Sequence, residues 1–236
     1  MLILAFETSA KAGSVALLED SRLLGESYQN TGLTHSQTVM TMAESLVKSC
    51  GYTPQELGAV AVAAGPGSFT GVRIGVAAAK GLAWGGELPC YGVSTLEAMA
   101  LQLGAWEGTV VCAMDARRSQ VYNALFRAEK GKLSRICDDR AISLAELAEE
   151  IKNLPKPLFL VGDGSNLCYN TLKDTVSGLV LPPEHRMHQR ATGVGLAAWQ
   201  KIQTGQSGDG AALTPNYLRL SQAERERLEK QKETEK

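Results

Sequence analysis

The sequence predicts an α/β protein of two lobes that repeat one topology. Three observations predict it. Apolar patterning gives three strands, helix, strand, helix, strand, helix, and the same order follows a second time. A break near Leu103–Gly108, where Gly104 and Gly108 flank the gap, separates the two runs. The chain has 236 residues, 44% of them apolar, so each half can bury a core of its own.

Taken in order, Leu2–Phe6 is a continuous apolar run, as in a buried strand. Ser14–Leu18 and Arg22–Tyr28 are expected to follow as strands. The short link Glu19-Asp20-Ser21 makes them antiparallel neighbours. The period then changes: Val39, Met40, Ala43, Leu46, Val47 and Cys50 recur at helical spacing. Thr34 with Gln37 reads as a capping box at the start of this helix, and Gly51 follows its end. Ala59–Ala64 is expected as a small-residue strand, and a glycine-rich loop leads to a helix from about Thr70 to Trp84. A strand at Leu88–Gly92 and a helix at Ser94–Leu103 complete the first half.

The second half offers strands at Thr109–Met114, Gln120–Phe126 and Lys132–Cys137. A helix at Ser143–Lys152 opens with a second capping box, Ser143 with Glu146. Leu158–Val161 and Leu179–Leu181 are expected strands, Ser165–Lys173 and Ala191–Ile202 expected helices. The expected organisation is therefore residues 1–103 as one lobe, 104–210 as the second, and 211–236 as a C-terminal segment. The end of that segment, Ser221–Lys236, is almost all Glu, Arg, Lys and Gln, with Glu226 and Lys230 at the favourable four-residue spacing, and reads as a solvated tail.

Composition narrows the function classes. The formal net charge is -1 and the basic residues are spread along the chain, which gives no nucleic-acid-binding face by itself. Five cysteines stand far apart with no C-x-x-C, as expected of reduced, mostly buried thiols in a cytoplasmic protein. Met1–Phe6 lacks a basic flank and a cleavage site, so it reads as a strand, and no apolar run is long enough for a membrane helix.

The most informative run is Gly65-Pro66-Gly67-Ser68-Phe69-Thr70-Gly71-Val72-Arg73-Ile74-Gly75. Its glycines allow a tight turn, Ser68 or Thr70 can cap the following helix, and backbone N–H groups there could hold an anion. No Gly-Lys-Ser/Thr ends it, so it is not a Walker A loop. Gly71, Gly75, Ala79 and Ala83 recur every fourth residue. A glycine inside a helix costs about 1 kcal/mol relative to alanine, and close approach of another helix is the expected compensation. Whether that neighbour belongs to the same chain or to a partner, periodicity leaves open.

The repeated topology resembles the duplicated RNase H-like lobes of the actin-like ATPases. In each lobe the first strand ends in an acid, Glu7 before Thr8-Ser9 and Asp115 before Ala116-Arg117. ATP-using members of that superfamily place acids there for metal and phosphates. The resemblance makes Glu7, Thr8, Ser9 and Asp115 candidates for a vestigial nucleotide site, although acids at strand ends are also common structurally.

A closer resemblance covers the chain to about Arg219. Leu2–Ser9, Gly65–Gly75, Asp115-Ala116-Arg117-Arg118 with Val121-Tyr122, and Pro215-Asn216-Tyr217-Leu218-Arg219 together resemble the TsaB (YeaZ) family. Glu7 departs from the Asp that many members carry. The resemblance implies a non-catalytic subunit without cofactor or metal. Such a subunit pairs with the catalytic protein TsaD, with the ATPase TsaE joining, for N6-threonylcarbamoylation of adenosine 37 in tRNAs that read codons beginning with A. Contact with tRNA would be indirect, through the complex, and the isolated chain would form homodimers through the same face. The implied pairing elements are the two helices of the first lobe, with His35, Val39, Ala43, Phe69, Gly71, Arg73, Gly75 and Ala79 as candidate partner-binding residues. TsaD-like proteins carry a metal-binding His-x-x-x-His after the same glycine-rich segment. Thr95 and Met99 stand at the corresponding spacing here, and neither suits a hard or borderline divalent metal.

Other candidates carry less. His185 and His188 lie beside Pro182-Pro183 in an expected loop, with no third ligand nearby. Ser9, Ser14 and Ser68 lack a Gly-x-Ser-x-Gly setting, which counts against a serine hydrolase. Asp115, Arg117 and Arg118 read equally as a polar cluster facing the cleft and as a structural ion pair. Gly162-Asp163-Gly164 is expected to turn the chain after its strand. The alternative activity is that of a kinase or ATPase with a nucleotide between the lobes.

Overall fold

The structure is a computed structural model that describes residues 1–103 and 106–219. The charged tail expected at Ser221–Lys236 lies outside the described residues.

The first sheet has strands β1 (Leu2–Glu7), β2 (Gly13–Glu19), β3 (Arg22–Gln29), β4 (Ala59–Ala63) and β5 (Cys90–Val93), in the order β3-β2-β1-β4-β5. The turn at Asp20-Ser21 makes β2 and β3 antiparallel; β1, β4 and β5 run parallel. Successive residues of a strand point to opposite faces. Leu4 and Phe6 therefore join one core with Val60 and Val62, while Ile3 and Ala5 join another with Ala59, Ala61 and Ala63. Helices α1 (His35–Ser49) and α2 (Phe69–Gly85) cover the first of these faces. α3 (Thr95–Leu101) follows β5, and Ser94 caps it, its Oγ accepting from the Glu97 N–H at 3.2 Å.

The second sheet has strands β6 (Gly108–Asp115), β7 (Gln120–Glu129), β8 (Lys132–Arg135), β9 (Arg140–Ser143), β10 (Leu158–Val161) and β11 (Leu179–Val180). Its order is β11-β10-β6-β7-β8, with β9 also paired to β7. Placing β6 on β1, β7 on β2, β8 on β3, β10 on β4 and β11 on β5 superposes the two topologies. The protein is thus a pair of RNase H-like lobes with the actin-like arrangement. Helices α4 (Leu144–Ile151) and α5 (Ser165–Leu172) cover one face of this sheet, and α6 (Glu184–Met187) and α7 (Ala191–Gln203) follow β11.

Packing crosses the boundary expected at residue 103. The last helix, α7, lies on the first sheet, where Ala191, Val194, Ala197 and Ala198 bury against Ile3, Ala5, Ala16 and Leu18. Conversely, Leu96, Met99 and Ala100 of α3 bury against Val110, Cys112 and Met114 of β6. The two helices meet at Gly193, where a Cβ would collide with the Ala98 backbone. A glycine there is the condition for the close approach.

Several expectations change in detail. Thr34 is the N-cap of α1 but its side chain makes no cap hydrogen bond, so that capping box is absent, whereas the Ser143/Glu146 box is formed. The strand expected to reach Cys137 ends at Arg135, and β9 follows it. The expected loop around His185 contains the short helix α6. Among the described residues no helix is long and apolar enough to cross a membrane.

Candidate functional site

The strand-end turns of both lobes face one another across a cleft of about 730 Å³. On the first lobe its wall is the β1–β2 turn (Ser9, Ala10, Lys11) and the start of α2. On the second it is the β6–β7 turn (Asp115, Ala116, Arg117) and Asp163. The segment Asn216–Arg219 closes one side.

Of the four acid and hydroxyl residues expected here, the structure brings Ser9 and Asp115 to the cleft and sets Glu7 and Thr8 behind its wall. Thr8 is fully buried and its Oγ1 donates to the Gly71 carbonyl at 2.8 Å, so it locks β1 to α2. The Ser9 N–H donates to Glu7 Oε1 at 2.6 Å, and Glu7 Oε2 has no partner. Ser68 ties the same corner: its N–H donates to the Ser9 carbonyl at 2.6 Å, and its Oγ caps α2 by accepting from the Gly71 N–H at 3.3 Å.

Burial pushes the Glu7 carboxyl up to about 7, partly offset by the Ser9 hydrogen bonds, with the Asp163 charge across the cleft adding to the rise. Burial raises Asp163 as well, against the Gln189 side-chain donor at 3.0 Å. Asp163 lies in the Gly162-Asp163-Gly164 turn expected from the sequence, whereas Gln189 has no motif around it. The folded protein keeps a proton on Glu7 that the unfolded chain releases from about pH 4.5 upward, so this stabilisation is complete below that pH and is lost as pH rises through about 7. Glu7→Gln is expected to remove about 2–3 kcal/mol of the stability difference between about pH 5 and about pH 8. Urea unfolding across that range checks it; an unchanged slope in the variant would contradict it.

Asp115 and the two arginines after it form no ion pair. Asp115 Oδ1 accepts from the Arg117 N–H at 2.7 Å and stabilises a turn in which Arg117, Arg118 and Ser119 all have positive φ, at 61°, 56° and 56°. Non-glycine residues rarely hold that conformation. The cluster reading is the one the geometry supports.

The C-terminal segment is bound to the glycine-rich run. The Asn216 N–H donates to the Ala64 carbonyl at 2.7 Å, and Lys80 Nζ donates to the Leu213 carbonyl at 3.0 Å. The Phe69 and Tyr217 rings stack at 4.7 Å, Arg73 lies 3.7 Å over Phe69, and its Nε donates to Tyr217 Oη at 2.7 Å. Arg219 Nη1 donates to the Ala116 carbonyl at 2.6 Å, so this segment bridges both lobes.

The expected partner-binding residues divide. Gly71, Gly75 and Ala79 face the chain's own sheet: a Cβ on Gly71 would meet the Thr8 carbonyl, and one on Gly75 would meet Thr8 Oγ1 and Val62. The close approach that this stripe permits is internal, which corrects the reading of it as a contact across a subunit boundary. Val39 and Ala43 are buried in the same core. His35 is half-buried, its Nε2 donating to the Ala10 carbonyl at 2.8 Å. Arg73 is exposed and Phe69 half-buried. Of the expected set only Arg73 is exposed; with it Ala77, Gly81 and Trp84 are exposed on α2, as are Met40 on α1 and Leu33 just before it. Trp84 is 84% exposed. Single apolar residues at a surface are ordinary, but a tryptophan this open on a helix is not.

Thr95 and Met99 are both buried, Met99 inside the core of the second sheet. Neither supplies imidazole or carboxylate.

Two lobes of one topology, with a cleft between their strand-end turns and an open helix pair on the first lobe, define a protein of the actin-like α/β fold. The family model described as TsaD: tRNA N6-adenosine threonylcarbamoyltransferase matches residues 29–227. The tRNA threonylcarbamoyladenosine biosynthesis protein TsaB of Bacillus subtilis (strain 168) is 34% identical over 233 residues, covering 98% of this chain and 100% of that protein. The Escherichia coli (strain K12) protein of the same name is 34% identical over 224 residues, covering 93% and 95%. The solved structure of YeaZ from Pseudomonas aeruginosa matches with a TM-score of 0.74 at 25% identity, covering 92% of this chain and 99% of that one. The chain belongs to the TsaB family, within the wider TsaD group.

Proposed function

We propose that this chain is the pairing subunit of a tRNA threonylcarbamoyltransferase assembly and carries out no chemistry of its own. It joins TsaD, with TsaE completing the assembly, for N6-threonylcarbamoylation of adenosine 37 in tRNAs reading codons that begin with A. The assembly works in the cytoplasm. The observation that carries this reading is the outward side of α1 and α2, where Trp84 is 84% exposed on α2 and Met40 and Leu33 are exposed on and just before α1. That face fits the matching helix pair of a related subunit, and in isolation it fits a second copy of itself. The placement of Thr8 and Glu7 behind the cleft wall, and of Thr95 and Met99 in the cores, supports a subunit that leaves metal and substrate to its partner.

The test is reconstitution. TsaD and TsaE, supplied with threonylcarbamoyl donor and unmodified tRNA, are expected to form the modified nucleoside only when this chain is present. Equal product formation without it would overturn the proposal, as would turnover by this chain alone.

A further inference from the structure

The described arginines divide by whether they have an acid partner. Arg22, Arg127, Arg135, Arg140 and Arg190 each pair with an acid, whereas Arg73, Arg117, Arg118, Arg186 and Arg219 make no ion pair among the described residues. Four of these, all but Arg186, lie at or beside the mouth of the interlobe cleft, and Lys11 stands on its opposite lip. The acids in the same cleft are already engaged. Asp115 accepts from the Arg117 N–H, and Asp163 accepts from Gln189. Ser9, fully buried in the wall, has an Oγ with no hydrogen-bond partner, and the capped N-terminus of α2 opens beside it. Tyr217, 41% exposed and stacked on Phe69, adds a ring face at the same rim.

We propose that the mouth of this cleft binds a phosphodiester strand of the tRNA directly, Lys11, Arg117, Arg118 and Arg219 neutralising phosphates beside the Phe69–Tyr217 rings. This departs from contact through the complex alone, and it rests on the reading that the chain serves tRNA threonylcarbamoylation. Cations that carry no internal partner gain most from phosphate, because counterion release then drives association. An exposed aromatic ring beside them suits an unpaired base. A nucleoside triphosphate suits the cleft less. Its metal would draw on acids of the cleft, but Asp115 and Asp163 there already accept hydrogen bonds, Glu7 lies behind the wall, and the described residues hold no cluster of three metal-ligating side chains.

The experiment uses the full chain and an unmodified tRNA transcript, with binding followed by fluorescence anisotropy over a salt series. The double variant Arg117→Gly/Arg118→Gly keeps the left-handed turn available and removes both charges. It is expected to bind about tenfold more weakly, with a log K against log salt slope shallower by about 1–2. Lys130→Ala/Lys132→Ala, at the β7–β8 turn, is expected to match the parent chain. Pairing with TsaD, measured in parallel by size exclusion, is expected to be the same for all three. The proposal is overturned if the parent chain shows no tRNA binding, if the double variant keeps the parent's affinity and slope, or if ATP binding depends on Arg117 and Arg118 while tRNA binding does not. Loss of TsaD pairing by the parent chain alone would instead overturn the function proposed above and leave the RNA result standing.

Discussion

Gly75→Leu is expected to destabilise the isolated chain by about 3 kcal/mol, the upper end of what overpacking a core costs. In a domain of this size that corresponds to a fall in Tm of roughly 6–12 °C. The position has no room to yield. A Cβ on Gly75 would meet Thr8 Oγ1 on one side and Val62 of the central sheet on the other, and Thr8 is held in place by its bond to the Gly71 carbonyl. A leucine must push α2 off β1 and β4, breaking that hydrogen bond and opening the core of Phe6, Val62, Val72 and Val76. Thermal unfolding of the variant at a concentration where it is monomeric checks the expectation. A near-parental Tm combined with lost pairing would return the stripe to the subunit boundary.

A charge placed on the opposite side of the same helix is expected to do the reverse. Ala77→Arg combined with Trp84→Asp should leave Tm within a few degrees of the parent, since both side chains are exposed in the free chain. Surface substitutions away from such packing features usually stay within about 0.5 kcal/mol. Pairing with TsaD, by contrast, should weaken by about 100-fold or more. A large aromatic anchor is lost, and a cation and an anion are stranded in an apolar contact. The homodimer of the isolated chain should fail at the same time if it uses the same face. Titration calorimetry with TsaD, together with analytical ultracentrifugation of the variant alone, measures both. Parental affinity in the variant would show that the α2 outer face takes no part.

These two substitutions define what residue spacing can and cannot reveal on one helix. α2 is apolar or small nearly all round, so a four-residue repeat can be drawn on more than one side of it. Gly71, Gly75, Ala79 and Ala83 form one stripe; Arg73, Ala77 and Gly81, leading to Trp84, form another about two residues round the helix. Only the packing tells them apart. The first stripe lies against Thr8 and Val62, and the second faces out. In α1 the ambiguity is smaller. Val39, Ala43, Leu46 and Val47 sit on one face with polar residues opposite, and that face is the buried one.

By itself the sequence determined the two repeated sheet-and-helix runs, because strand and helix periods are local and survive whatever packs against them. It also determined the Ser143/Glu146 cap, where neighbouring residues supply both partners of each contact, and the place of the turn at Gly162-Asp163-Gly164. The family could be read from the glycine-rich run and the Pro215–Arg219 segment for the same reason. The tertiary structure alone decided everything that joins residues distant along the chain. It placed α7 on the first sheet and α3 on the second, since small residues at Gly193 and Ala98 let the two helices cross. It set Glu7 behind the cleft wall, within reach of the Asp163 charge, and fastened Tyr217 to Arg73 across 144 positions. It also gathered four of the unpaired arginines, from separate segments, at one mouth. Charge neutrality summed over a chain carries no information about such a gathering, because it depends on where the turns meet in space.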